Sequence, residues 1–535
     1  MKMLPIGIQS FEKLIEMNCI YVDKTKFLYN LIKSGTTYFL SRPRRFGKSL
    51  TISTLEAIFL NKRELFKGLW IDQSDYDWKL HPVIRLDMSL ISNFIGDDIN
   101  PILINQLERI AKFYQIEFKK ETNAQICFDN LIFDLYSKLG RVVILIDEYD
   151  KPILDHISNR VNAETNREFL KNFYGVMKAL DANIRFIFLT GVTKFSKVSV
   201  FSGLNNLTDI TMSSNQAGML GYTEEELLHY FHQYIEEFSK DKEIPLEVLV
   251  SEIRTWYNGF RFSEDEVKVY NPFSTLLLFK EKRFRNYWFE TGTPKFLMEL
   301  IKEREFNLLD AEDKTVEEYS FSSFEVSDIS IYPLLYQTGY FTIKEYYPED
   351  RRYRLGYPNK EIEIAFNKHI IAIYSQKSID DVDSDAGKIH SALRERDLVR
   401  FFEVLRVLLA SISYQIKIKD EEKHYQFFFY TVLRCIGVNV QVEVTTNKGR
   451  IDVVINMSAI IYILELKLTG TAQQALKQIK EKGYYEKYLL EGKQIVLVGV
   501  SIDKKKRNFG KWTSEILNTK RMTKTKTSKS KKSED

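Results

Sequence analysis

The sequence predicts a multidomain α/β protein. An N-terminal parallel-sheet domain leads into a helical middle region, a C-terminal α/β domain and a disordered basic tail. Three observations predict it. The chain has 535 residues, several times a typical domain length. Short apolar runs alternate with helical patterns in residues 1–215 and again in residues 386–502, whereas residues 216–385 read as amphipathic helix rich in Glu, Phe and Leu. Residues 503–535 carry twelve Lys/Arg against four Asp/Glu, so the net charge of +4 leaves the rest of the chain slightly acidic.

Composition narrows the function classes. Hydrophobic residues make up 44% and charged residues 28%, which excludes disorder as the main state. The longest apolar runs, such as Val142 to Ile146, fall far short of the ~20 residues that span a bilayer. Met1 to Lys13 holds no apolar stretch of signal-peptide length. Cys19, Cys127 and Cys435 are too scattered for a disulfide framework or a zinc site. The expectation is a cytoplasmic protein with no membrane partner.

In the first region the runs Thr37–Leu40, Val83–Leu86, Val142–Ile146 and Phe186–Leu189 read as buried parallel strands. The first leads into Ser41-Arg42-Pro43-Arg44-Arg45-Phe46-Gly47-Lys48-Ser49-Leu50, a loop and a helix start. Gly47-Lys48-Ser49 is the end of a P-loop. Backbone N–H groups at a helix N-terminus face phosphates, the lysine reaches the β/γ-phosphates and the serine ligates Mg²⁺. Arg42 replaces the first glycine of the pattern, and Arg42, Arg44 and Arg45 are expected to add positive charge beside the site. About 100 residues on, Arg141–Ile146 is an apolar run ending in Asp147 and Glu148. Asp147 stands where an acid holds Mg²⁺ through water, and Glu148 where a carboxylate polarises the attacking water. After the next strand, Thr190 or Thr193 fills a polar sensor place, or caps a strand end. The candidate nucleotide-binding residues are thus Arg45, Phe46, Gly47, Lys48, Ser49, Leu50, Asp147 and Thr190, with Ser49 and Asp147 toward the metal.

In the middle region, Thr223 followed by Glu226 predicts a capping-box helix start. Arg261, in Tyr257-Asn258-Gly259-Phe260-Arg261-Phe262, reads as an exposed turn arginine, with γ-phosphate sensing as the alternative. His229 and His232 read as a surface pair.

Near the C-terminus, Ile451–Ile455 and Ile460–Leu468 read as strands, Ala472–Leu490 as a helical stretch and Gln494–Val500 as a last strand. Asp452 interrupts the first strand, and Glu465 and Lys467 project to one face of the second. If the two strands pair as a hairpin, Asp452 lies beside Glu465. Carboxylates in an apolar setting are paired, protonated or metal-bound. A hard cation suits their oxygens, so Mg²⁺ or Mn²⁺ is expected at Asp452 and Glu465. Such a metal activates water against a phosphodiester, with Lys467 orienting that water or stabilising charge. A buried Glu–Lys or Asp–Lys ion pair is the structural alternative. Gln474 and Gln478 share one face of the following helix. Beyond Asn518 the chain is Lys, Thr and Ser, expected to be disordered, and either holds nucleic-acid phosphates or solubilises the chain.

Residues 5 to about 215 resemble the AAA-ATPase-like family of P-loop NTPases. The matching stretches are Tyr21-Val22-Asp23-Lys24-Thr25, the loop Arg42–Ser49, Leu145-Ile146-Asp147-Glu148-Tyr149-Asp150 and Thr190-Gly191-Val192-Thr193-Lys194. Arg42 in place of glycine is usual in that family, and the resemblance implies ATP binding. Residues from about 422 to 501 resemble the PD-(D/E)XK nuclease superfamily, through Val442-Glu443-Val444, Gly449-Arg450-Ile451-Asp452, Glu465-Leu466-Lys467 and Gln478-Ile479-Lys480. The resemblance implies that Asp452 and Glu465 are the metal acids, Lys467 the catalytic lysine and Gln478 a supporting polar residue. The leading expectation is an ATP-dependent or ATP-gated, metal-dependent nuclease acting on nucleic acid, DNA favoured over RNA, with assembly into a homo-oligomer left open. The rivals are a nucleotide-gated switch whose nuclease fold grips nucleic acid or a partner without turnover, and an ATPase with a structural remnant behind it.

Overall fold

The computed structural model describes residues 1–93, 98–157, 159–194, 200–201, 204, 206–288, 295–303, 315–322, 330–411, 421–446 and 449–517. The segment expected to be disordered, beyond Asn518, lies outside the described residues. Two compact units form. One comprises Met1–Phe296 and Ala311–Ile362, the other Leu297–Asp310 and Glu363–Asp535.

The first unit is built on a five-stranded parallel sheet. Its strands are β1 (Thr37–Ser41), β2 (Val83–Asp87), β3 (Val142–Asp147), β4 (Ile184–Gly191) and β5 (Thr208–Asp209), in the order β2-β3-β4-β1-β5. β1 and β3 are buried along their whole length, which is why they read as unbroken apolar runs rather than alternating ones. The helix Lys48–Phe59 packs on this sheet, and the helices Ala124–Leu139 and Arg160–Ala179 pack together through Phe128 stacked on Phe173 at 4.7 Å.

The middle of the chain joins this same unit. Thr223 caps the helix Glu224–Lys242 in a capping box with Glu226, as the spacing predicts. Phe231, Ile235, Leu249, Ile253 and Leu278 form one core across three helices, Glu224–Lys242, Leu246–Tyr257 and Pro272–Glu281. Two small sheets interrupt the helical texture. β6 (Phe260–Arg261) pairs with β7 (Lys268–Val269), and β8 (Thr315–Glu317), β9 (Thr342–Tyr347) and β10 (Arg352–Gly356) form an antiparallel sheet in the order β8-β10-β9. Arg352–Glu317 and Arg354–Glu345 ion pairs cross its strands, and these charged residues masked the strand pattern in the sequence. Arg261 is buried rather than exposed. Its guanidinium donates to the carbonyls of Ser263, Glu264 and Asp265 and closes that turn.

The second unit carries a five-stranded mixed sheet: β11 (Asn439–Thr446), β12 (Gly449–Asn456), β13 (Ile460–Lys467), β14 (Gln494–Asp503) and β15 (Asn508–Leu517), in chain order across the sheet. β13 and β14 run parallel and the other neighbours antiparallel. Val453, Leu464, Val498 and Val500 face a core with the helices Leu398–Ser411 and Glu421–Cys435. On the opposite face, Ile463, Leu497, Leu476 and Ile479 pack with the helix Ala472–Lys482. Two expectations are corrected. The helical stretch stops at Gly483, whose φ of 60° ends it, and a 3₁₀ turn, Tyr484–Glu491, follows. Residues 508–517, counted with the disordered tail on charge, form β15, because Phe509 and Trp512 pack against Phe402.

Candidate functional site

The first site begins where β1 ends. Gly47 caps the helix Lys48–Phe59 with φ 94°, a left-handed conformation that favours glycine. Arg45 also has a positive φ, 69°. Phe46 turns its ring inward, edge-on to Phe260 and Phe262 at 4.9 and 5.4 Å, so it anchors the loop and leaves only its backbone for a ligand. Lys48 donates from Nζ to the carbonyls of Arg42 and Pro43 at 2.8 and 2.9 Å, and Trp288 donates from Nε1 to the Arg44 carbonyl at 3.0 Å. Three successive loop carbonyls are thereby engaged. Gly339 seats against the loop, since a Cβ there would lie 2.7 Å from Pro43.

A cavity of about 360 Å³ opens over this loop. Arg44, Arg45, Lys48, Ser49, Glu148 and Lys151 make its polar side, with Gly47 and Leu50 between them on the loop and helix start. Pro5, Ile8, Pro272, Phe273 and Leu276 make its apolar side. Arg45 lies over the Phe273 ring at 4.9 Å, and Asn271 and Pro272 begin that residue's helix as cap and first residue. Arg42 does not join the other two arginines. It is buried, donates to the carbonyls of Ser41 and Thr211 at 2.9 and 2.6 Å, and stacks over Phe262. The loop therefore presents two arginines to the cavity, not three.

Behind the cavity, β4 lies between β1 and β3. Thr190 is fully buried and donates from its hydroxyl to Asp147 Oδ1 at 2.7 Å. Thr193 donates from its hydroxyl and its backbone N–H to Asp150 Oδ2, both at 2.6 Å. The two threonines thus serve two different acids. Glu148 lines the cavity with φ 52°, an unfavourable backbone for a non-glycine residue. Burial pushes its carboxyl above the usual range, and the nearby Lys48 ammonium opposes this. Burial likewise lowers the Lys48 ammonium, against the pull of Glu148, Asp147 and Asp150.

The second site lies in the other unit, where β12 and β13 pair antiparallel with Val453 opposite Leu464. That register sets Asp452 beside Glu465, both buried, on the face covered by the helix Ala472–Lys482. The backbone N–H of Leu466 donates to Asp452 Oδ2 at 2.6 Å. Lys467 Nζ stands 3.5 Å from Glu465 Oε1, to which the Gln478 amide also donates. Gly499 makes this reach feasible. It pairs with Glu465 across the sheet, and a Cβ on it would lie 2.1 Å from the Ala472 carbonyl oxygen. Gln474, which shares a helix face with Gln478, instead closes a capping box with Thr471.

A family model described as a predicted AAA-ATPase matches residues 5–201. A second, the PD-(D/E)XK nuclease superfamily, matches residues 420–512. A relative from Azotobacter chroococcum mcd 1, titled "Uncharacterized protein in vnfD 5'region", is 39% identical over 536 residues, covering 96% of this chain and 99% of the relative. The chain belongs to the AAA-ATPase-like family. It carries a PD-(D/E)XK nuclease superfamily domain behind the AAA-ATPase-like one.

The structure brings the sequence-predicted Arg45, Lys48, Ser49 and Glu148 to one cavity and Asp452, Glu465, Lys467 and Gln478 to another place, and it adds neighbours that the sequence did not single out. Ile8, Leu276 and Lys151 line the cavity and carry no motif signal of their own. In the nuclease-superfamily domain, sequence reasoning missed Tyr484. Burial raises its pKa, the charges of Glu465 and Asp452 add to this, and the nearby Gln478 side chain opposes it. A Cβ on Gly449, φ 149°, would stand 2.8 Å from that hydroxyl. Asp23 and Lys24 do not line this cavity. Asp23 accepts from the Thr25 N–H at 2.8 Å, and Lys24 pairs with Glu226 at 2.6 Å, tying the first helices to the capping box.

Among the described residues no group of three or more His, Cys, Asp or Glu side chains could hold a metal ion. Asp452 and Glu465 make an all-oxygen pair of carboxylates, which suits a hard cation that keeps several waters. Among the described residues no helix is long and apolar enough to cross a membrane.

Proposed function

We propose that this protein is an ATP-dependent or ATP-gated nuclease that cuts phosphodiester bonds with a divalent metal. The observation that carries the reading is the convergence of Asp452, Glu465, Lys467 and Gln478 on one sheet face beneath one helix. Placing two carboxylates and a lysine together in a buried setting is costly unless a ligand or a reaction uses them.

In the first unit, backbone N–H groups of residues 45–50 cradle the nucleotide phosphates, with Lys48 released from the loop carbonyls toward them. Ser49 and Asp147 hold Mg²⁺, and Thr190 keeps Asp147 in position. Glu148 takes a proton from the attacking water. The apolar wall of Ile8, Phe273 and Leu276 receives the base.

In the second unit, Asp452 and Glu465 hold Mg²⁺ or Mn²⁺, which supplies Lewis acidity toward the phosphodiester and its attacking water. Lys467 orients the nucleophile and neutralises developing charge. Gln478 holds Glu465, and Tyr484 holds Gln478.

The test is plasmid and single-strand nicking by purified protein with Mg²⁺ or Mn²⁺, with and without ATP, beside Lys467→Ala and Lys48→Ala. Cleavage lost in Lys467→Ala supports the nuclease, and the ATP and Lys48→Ala lanes report gating. ATP hydrolysis without cleavage in any lane sinks the nuclease reading for these substrates and favours a nucleotide-gated binding switch.

A further inference from the structure

The hairpin joining β14 to β15 stands at the same end of the C-terminal sheet as Lys467. Lys467 pairs with Ser501, two residues before the hairpin begins at Asp503. A cavity of about 790 Å³ opens there, walled in part by Leu468 and Gly470, just past Lys467, and by Lys504, Lys505, Lys506 and Lys511. Residues 503–511 hold five cations, Lys504, Lys505, Lys506, Arg507 and Lys511, all exposed, against one acid. That acid, Asp503, accepts from the backbone N–H groups of Lys505 and Lys506 at 3.1 Å and so shapes the turn.

The hairpin is anchored. Arg406 donates to the carbonyls of Phe509 and Gly510, the Asn508 amide donates to the Arg406 carbonyl at 3.0 Å, and Phe509 is buried against Phe429 at 4.7 Å. A fixed backbone presents its cations to a ligand at a lower ordering cost than a flexible segment does. Register also separates this cluster from the end of β15. Leu517 pairs with Ile495, six residues along β14 from Ser501, or roughly 20 Å at ~3.3 Å per residue.

We infer that the hairpin of residues 503–511 is a docking surface for nucleic-acid phosphates, laying a sugar–phosphate backbone past the strand end that carries Lys467. The inference rests on the nuclease reading for the purpose of the docking, but not for the docking itself. A repeating phosphate chain matches both the cation cluster and the neighbouring strand end that carries Lys467. An anionic bilayer matches only the charge.

The test is binding of fluorescein-labelled duplex and single-stranded DNA to the full chain, read by anisotropy in EDTA so that cleavage does not intervene, from about 50 to about 200 mM KCl. Wild type is compared with Lys504→Glu/Lys505→Glu/Lys506→Glu, with the milder Lys→Gln triple, and with a chain ending at residue 517. Both triples are expected to weaken binding about tenfold or more. They are also expected to reduce the slope of log K against log salt by about 2 to 3, since each phosphate that a lysine neutralises adds about 0.9 to that slope. The shortened chain is expected to keep most of its affinity. Wild-type affinity and slope in the Lys→Gln triple, or weakening confined to the shortened chain, overturns the inference. So does hairpin-dependent binding to phosphatidylserine vesicles with none to DNA. Nicking in Mg²⁺ separates the two claims. Hairpin-dependent DNA binding without nicking leaves the docking surface standing and removes the nuclease, whereas nicking with normal binding by the triples removes the docking surface alone.

Discussion

Thr190 donates its hydroxyl proton to Asp147 Oδ1 at 2.7 Å, from the strand that lies between the loop strand and the acid strand. The bond is buried and fixes one oxygen of the carboxylate that the proposed function assigns to Mg²⁺. Thr190→Val keeps the shape and removes the donor. Loss of one such bond corresponds to about 1 kcal/mol, so the expected result is an ATPase kcat lower by about 3- to 10-fold, with the Mg²⁺ requirement shifted to higher concentration. An unchanged Mg²⁺ titration would contradict a positioning role.

Glu148 is the acid whose protonation is set by burial. Its carboxyl is raised, so ATP hydrolysis that needs the carboxylate is lost on acidification at a higher pH than for an exposed glutamate. Glu148→Gln is expected to lower hydrolysis on the order of 10²-fold or more while retaining ATP binding. The stability sign runs the other way. A raised folded-state pKa means the folded protein binds the proton more tightly than the unfolded chain, so the carboxylate is destabilising above its folded pKa. Glu148→Gln therefore raises Tm at neutral pH, and the gain vanishes below the unfolded pKa. Calorimetry across pH checks this.

Gly499 and Gly387 make a matched pair in the second unit. A Cβ on Gly499 would stand 2.1 Å from the Ala472 carbonyl oxygen and 2.5 Å from the Leu476 nitrogen, both backbone. Gly499→Ala must lift the helix that carries Gln478, at about 2–4 kcal/mol of stability, and reduces nicking beyond what the lower stability explains. Gly387 sits in the helix Ile379–Glu395 with nothing within 4 Å of a Cβ. Gly387→Ala is expected to stabilise by about 0.5–1 kcal/mol with nicking unchanged. Urea melts beside nicking rates measure both.

Tyr484 stands beside Gln478, whose amide donates to Glu465. If these two side chains position the carboxylate, Tyr484→Phe lowers the nicking rate by about 3- to 10-fold and raises the Mn²⁺ concentration for half-maximal rate, while Gln478→Ala does more. Metal dependence equal to wild type in both variants would reduce the two residues to packing.

Much of both sites is legible along the chain, because each motif sits within a few residues of a strand end. Lys48 and Ser49 follow an apolar run, Asp147 and Glu148 close another, and Glu465 and Lys467 share a strand face by simple alternation. The capping box at Thr223 is equally local. What resists a linear reading is anything whose role depends on what approaches it. Arg42 and Arg45 look alike in sequence, yet one is buried under Phe262 and the other faces the cavity.

The sequence by itself determined the two α/β regions, the inner apolar strands and the acids and lysines at their ends, but not β5, β11 or β15, since hydrophobic period and local chemistry act over a few residues. Only the tertiary structure decided which groups meet. The β12–β13 register brought Asp452 to Glu465, and the missing Cβ of Gly499 let Gln478 reach it. The β14–β15 pairing set the basic hairpin at the Lys467 end of the sheet and Leu517 at the other. Register and close approach are set by segments distant in the chain, and no local pattern encodes the space they leave.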